Sequence, residues 1–178
     1  MDESWTLFLD RDGVINNEIV GTYVLSWEGF HFSPGVLEAM PLLAARFGRI
    51  VLVSNQRGVG RGLMSAADLD HIHRNMQARI EEAGGRLDAI YFCTEKDERC
   101  FFRKPNPGMA LQARRQFPGI DPKKSIMVGN KPSDMRFGRA AGLFNVFVTT
   151  TNPGQEFPHP DIDRRYPTLL DFAKAVAG

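Results

Sequence analysis

Trp5-Thr6-Leu7-Phe8-Leu9 is a compact apolar run that stops abruptly at Asp10-Arg11-Asp12-Gly13. A short apolar run bounded by charge reads as a buried strand. The rest of the chain repeats the pattern, with helical stretches between the runs. Gly35 to Phe47, opened by Ser33-Pro34, places Val36, Leu37, Met40, Leu43 and Ala44 at helical spacing. Ile50 to Val53 is a second strand, ending at Ser54-Asn55, and Gly58, Gly60 and Gly62 then read as a flexible turn. Ser65 with Asp68 three residues on forms a capping pattern for a helix running to about Ala83, before Gly84-Gly85. Ala89 to Cys93 is the third strand, with a charged, irregular loop after it from Thr94 to Asn106. Pro107 suits the first turn of a helix reaching about Phe117. Ile126 to Val128, a helix over Ser133 to Ala141 closed by Gly142, and Asn145 to Thr149 continue the alternation. A Pro- and Asp-rich tail from Asn152 to Tyr166 leads to a last helix over about Leu169 to Val176.

Strands separated by helices of this length require crossover connections and a parallel sheet covered on both faces. The expectation is a three-layer α/β/α, Rossmann-like domain occupying residues 1–178 as one unit, consistent with 178 residues in all. Hydrophobic residues at 43% and charged residues at 24% are globular values. The formal net charge of +1 offers no bulk field for a nucleic-acid backbone. No apolar run reaches bilayer length, the start Met-Asp-Glu-Ser-Trp lacks signal-peptide character, and two cysteines make no disulfide framework. A cytoplasmic monomer without nucleic-acid or membrane partners is expected.

In such sheets ligands bind outside the carboxyl ends of the strands. There the sequence places Asp10-Arg11-Asp12-Gly13, Ser54-Asn55-Gln56-Arg57, Arg103-Lys104-Pro105 and Gly129-Asn130-Lys131, with Asp134 close behind. Two carboxylates, a hydroxyl, amides and several cations converging on one edge suit a phosphate ester beside a hard divalent cation. One carboxylate can attack phosphorus while the other handles the leaving-group proton. Oxygen ligands suit Mg²⁺. Lys104 can neutralise a phosphoryl group, and Ser54 with backbone amides can bind its oxygens. Other motifs carry less. Asp10-x-Asp12-Gly13 is no EF-hand, since the sixth position is Ile15. Walker A is absent, and the three-glycine stretch lacks dinucleotide spacing. His71 and His73 read as solvated helix residues, and Met109, Met127 and Met135 as core.

Phe8-Leu9-Asp10-Arg11-Asp12-Gly13-Val14-Ile15-Asn16 resembles the first motif of haloacid dehalogenase (HAD) superfamily phosphatases, in the branch holding heptose-bisphosphate and histidinol-phosphate phosphatases. Gly21-Thr22-Tyr23-Val24, Ser54-Asn55-Gln56, Gly60-Arg61-Gly62, Tyr91-Phe92-Cys93, Arg103-Lys104-Pro105-x-Pro107-Gly108-Met109 and Val128-Gly129-Asn130-Lys131-x-x-Asp134 extend the likeness to about Phe147. The resemblance implies a capless phosphatase. Asp10 would attack to give an aspartyl-phosphate, and Asp12 would serve as general acid and then base. Lys104 would orient Asp10. Ser54, Asn55 and Gln56 would hold phosphate, and Arg57, Arg103 and Lys131 the rest of a substrate with more than one phosphate. Mg²⁺ would sit on Asp10, the Asp12 carbonyl and Asn130, helped by Asp134. A heptose bisphosphate is the expected substrate. Histidinol phosphate is the alternative, as is phospho-ligand binding with weakened or lost turnover.

Two departures from the branch pattern stand out. Asn130 occupies a position usually held by Asp, which predicts weaker Mg²⁺ binding with the chemistry retained. A four-ligand zinc loop of the branch corresponds here to Cys93, Glu95, Cys100 and Phe102. With two ligands replaced, no structural zinc is expected, and Phe101 and Phe102 would pack the loop instead.

Overall fold

The computed structural model describes all residues, 1–178. Six strands, β1 (Thr6–Leu9), β2 (Arg49–Asn55), β3 (Ala89–Cys93), β4 (Ser125–Gly129), β5 (Phe144–Val148) and β6 (Arg164–Tyr166), form one sheet in the order β3-β2-β1-β4-β5-β6. Every pairing is parallel, with Leu9 level with Leu52 on one side and Val128 on the other. The helices are α1 (Val36–Ala44), α2 (Arg57–Gly60), α3 (Ala66–Glu82), α4 (Gly108–Gln116), α5 (Pro132–Ala141) and α6 (Leu169–Ala177).

The alternation of strand side chains decides the layers. Leu7, Leu9, Ile50, Leu52, Ile126 and Val128 point to one face, where they bury against α1, α3 and α6 through Met40, Leu43, Leu69, Met76 and Phe172. Phe8, Val51, Val53 and Met127 point to the other, against Met109, Ala113, Met135 and Phe137 of α4 and α5. Both faces of the central strands are therefore dry, which is why these strands read as unbroken apolar runs. Met109, Met127 and Met135 are fully buried as core.

Helix ends fall where the local chemistry puts them. Ser65 and Asp68 form a reciprocal capping box at the start of α3. Gly142, at φ 78°, closes α5 in the left-handed region that a side chain disfavours.

Three expectations need correction. The glycine-rich stretch after β2 is not a flexible turn but begins with a single helical turn, α2, whose Gly60 passes so close to Thr94 that a Cβ would lie 2.0 Å from that residue's carbonyl oxygen. The tail contains a sixth strand, Arg164–Tyr166, too short and too charged to show an apolar period. His73 is not solvated: it is buried, on the face of α3 that meets Arg11 and Phe92.

Candidate active site

The chain runs outward from β1 through β2 to β3, then returns to lay β4 on the other side of β1. That reversal opens a crevice above the carboxyl ends of β1 and β4, where α/β sheets bind ligands. A cleft of about 240 Å³ lies there, lined by Asp10, Asp12, Asn55, Arg57, Arg103, Lys104, Lys131 and Asp134, with Tyr23 and Ser133. Asp10 and Asp12 share the cleft although β1 itself stops at Leu9.

Lys104 is the hub. Its Nζ donates to Asp10 Oδ1 at 2.7 Å and lies 2.7 Å from Asp134 Oδ1, with all three side chains almost wholly buried. Burial, then the neighbouring Asp134, push the Asp10 carboxyl up to about 7 against the pull of Lys104. Burial alone would lower the Lys104 ammonium, but Asp10 and Asp134 outweigh it and hold the group above its ordinary value. Asp134 Oδ2 accepts from the backbone N–H groups of Asn130 and Lys131 at 3.1 and 3.0 Å. Both Asp134 oxygens are thus engaged, one on Lys104 and one on the turn into α5, at the wall of the cleft. Asn55, expected to hold phosphate, spends its amide on the main chain of Lys104.

Asp12 is held differently. Its Oδ1 accepts from Arg11 at 2.8 Å and Asn16 at 3.0 Å, and its Oδ2 accepts from Gln56 Nε2 at 3.0 Å. Burial works to raise this carboxyl, but Arg11 foremost, with the Asn16 and Gln56 bonds, keeps it below the ordinary range. Gln56 also donates to Ser54 Oγ at 2.7 Å. Ser54 is fully buried, and Gln56 links its hydroxyl to the Asp12 carboxylate. Arg11, 1% exposed, is flanked by His73 Nε2 at 3.4 Å. His73 is pushed down to about 3 by burial and then by Arg11, so it is neutral beside the guanidinium.

Asn130 is fully buried behind the cleft. Its amide nitrogen donates to Glu18 and Thr151, while its Oδ1 has no hydrogen-bond partner at all. A buried acceptor left open is rare and calls for an explanation. Gly13 makes room for this side chain: at φ 88° it lies so close that a Cβ would sit 2.0 Å from Asn130 Nδ2.

Cations rim the opening. Arg57 pairs with Glu98 at 3.1 Å, Arg103 donates to the Glu95 carbonyl, and Lys131 pairs with Glu18. Burial, then the proximity of Arg57, lower the Arg103 guanidinium, so two cations face the same space. Tyr23, Ser133 and Glu18 also belong to this site, and sequence reasoning gave them no role. Tyr23 had a signal in the Gly21-Thr22-Tyr23-Val24 motif; Glu18 and Ser133 had none of their own. In the adjoining loop the Cys93 and Cys100 sulfurs lie 3.8 Å apart, and Phe101 and Phe102 meet edge to face at 5.6 Å.

A HAD-hydrolase-like family model matches residues 101–164. D-glycero-α-D-manno-heptose-1,7-bisphosphate 7-phosphatase of Mycobacterium bovis is 39% identical over 97% of this chain and 91% of its own length. The D-glycero-β-D-manno-heptose-1,7-bisphosphate 7-phosphatase of Helicobacter pylori is 36% identical over 94% of this chain and 96% of its own length. Among solved structures, D,D-heptose 1,7-bisphosphate phosphatase from B. bronchiseptica, complexed with magnesium and phosphate, superposes with a TM-score of 0.87. It is 31% identical and covers 97% of both chains. Relatedness that runs the length of both partners places this chain in the HAD-like hydrolases, within the heptose-1,7-bisphosphate phosphatase family.

Proposed function

We propose that this protein removes one phosphate from a manno-heptose 1,7-bisphosphate through an aspartyl-phosphate. The observation that carries the proposal is the Asp10–Lys104–Asp134 chain of contacts at the floor of a cleft rimmed by Arg57, Arg103 and Lys131. With Oδ1 fixed on Lys104, Asp10 keeps Oδ2 free to attack phosphorus. The Asp10–phosphorus bond forms as the sugar–oxygen bond to phosphorus breaks; Asp12, ionised in the free protein, first takes up the proton of the bound phosphate monoanion and passes it to the departing sugar oxygen. The Asp12 carboxylate then takes a proton from water. The resulting hydroxide displaces Asp10 from phosphorus and releases inorganic phosphate. Lys104 offsets charge on the phosphoryl oxygens throughout. Arg57 and Arg103, side by side, suit the phosphate that is not cleaved.

The donors present fit Mg²⁺: an Asp10 carboxylate oxygen, the Asp12 main-chain carbonyl and the open Oδ1 of Asn130 are all hard oxygens. When bound, the ion neutralises phosphoryl charge and lowers the cost of bringing Asp10 to an anionic ester. The same reading makes the chain one catalytic domain, supported by its single sheet with a core on each face.

The test is phosphate release from the α and β anomers of D-glycero-D-manno-heptose 1,7-bisphosphate with Mg²⁺, the cleaved position being read by phosphorus NMR. Loss of the 7-phosphate is expected. Tight binding of the sugar without release would make the protein a phospho-ligand binder instead.

A further inference from the structure

Building on that metal-dependent reading, we infer that Glu18 and Thr151 are positioning residues that turn the Asn130 amide into a cation ligand. Glu18 also supplies from behind the negative charge that a carboxylate at position 130 would carry itself.

The orientation of the amide is fixed by its partners. An ionised carboxylate only accepts hydrogen bonds. Glu18 Oε2, 3.2 Å from Asn130 Nδ2, therefore dictates which end of the amide is nitrogen. Thr151 Oγ1 accepts from the same nitrogen. Oδ1 must then point away from both, and it does so fully buried and unpartnered. A carboxylate ligand has two equivalent oxygens and needs no such device. An amide has one oxygen, and turned the wrong way it would present N–H groups to a cation.

The surroundings brace this arrangement on every side. Asn152 Nδ2 donates to the Asn130 carbonyl at 2.7 Å, and Thr150 donates to the Gly13 carbonyl, so the segment after β5 is tied to both residues. Glu18 uses its other oxygen on Lys131, and its side chain is only 19% exposed. The part of this charge that the Lys131 pairing leaves uncompensated acts on a cation across the amide without touching it.

The test measures metal affinity without turnover, using Mn²⁺ as the probe and the electron paramagnetic resonance signal of the free ion. E18Q removes the charge and leaves one oxygen for the two donors, Asn130 and Lys131; it should weaken Mn²⁺ at least ~10-fold, the scale of losing an outer-shell partner. T151V removes one orienting bond without touching Lys131 and should weaken binding several-fold, with T151S restoring it. N130D/E18Q should return affinity to near the wild-type value. N130D alone, with two carboxylates facing each other, should gain less than the same change gains in E18Q. Circular dichroism confirms that each variant is folded. Wild-type Mn²⁺ affinity in E18Q and T151V, or no Mn²⁺ binding by the wild type, overturns the inference. The phosphatase proposal fails separately, if the metal-loaded wild type binds Mn²⁺ but releases no phosphate.

Discussion

Asn55 grips the main chain of Lys104 at both ends of its residue: Nδ2 donates to the Lys104 carbonyl and Oδ1 accepts from the Lys104 N–H, each at 3.0 Å. The ammonium that bridges Asp10 and Asp134 is thus aimed from the end of β2. Asn55→Ala should lower kcat by roughly 10–100-fold with a smaller change in KM, because it loosens a transition-state contact without removing it. Steady-state kinetics checks this, and an unchanged kcat would leave Asn55 no role through Lys104.

Asp10→Asn should lose at least ~10³-fold in turnover, as expected when a nucleophile is removed. It should also stabilise the metal-free protein, in one pH range only. The folded carboxyl titrates at about 7 against an ordinary value of 3.8, so the folded state holds its proton longer than the unfolded one. The stability penalty of ionising Asp10 therefore grows as pH rises from about 4 to 7 and is complete above that. Thermal unfolding in EDTA should show Asp10→Asn more stable than wild type at pH 8 and indistinguishable at pH 3.5.

His73 titrates at about 3 when folded, against 6.5 ordinarily. Its contribution to stability is full above pH 6.5 and is lost as pH falls from there toward 3. His73→Gln, which keeps an acceptor for Arg11, should flatten the loss of stability between pH 7 and 5. Urea unfolding at those two values is the measurement. A wild-type slope in the variant would show that His73 is not what limits the acid side.

Gly13→Ala forces a side chain into the left-handed region at φ 88° and into the Asn130 amide. We expect a loss of about 1–3 kcal/mol in stability, with activity falling further than the unfolded fraction explains. Gly21→Ala is the control. It has a similar φ of 80° but nothing within 4 Å, so it carries the backbone strain without the collision. Paired denaturation curves and specific activities for the two variants make the comparison.

The fold was legible wherever a strand is dry on both faces. Leu7-Phe8-Leu9 and Ile126-Met127-Val128 are apolar throughout because each neighbour faces a different core. Arg164–Tyr166 escaped because it pairs along one edge with β5 and buries little. Asp10, Asp12 and Lys104 were legible as chemistry at strand ends. What the sequence hid was how the polar groups pair: Gln56 bonds both Ser54 and Asp12, and Asp134 bonds Lys104, because hydrogen-bond partners are settled by tertiary approach and leave no trace in spacing. His73 misled for the same reason: on α3 it is one polar residue among many, and only the arrival of Arg11 explains its burial.

Lys104 meets Asp10 across 94 residues of chain. During synthesis Asp10 emerges early and stays without the Lys104 ammonium until β2 and β3 are in place, and without Asn130 until β4 has slotted in beside it. The proposed site is therefore assembled only with the closing of the sheet's middle, a long-range event of the kind that sets the pace of folding.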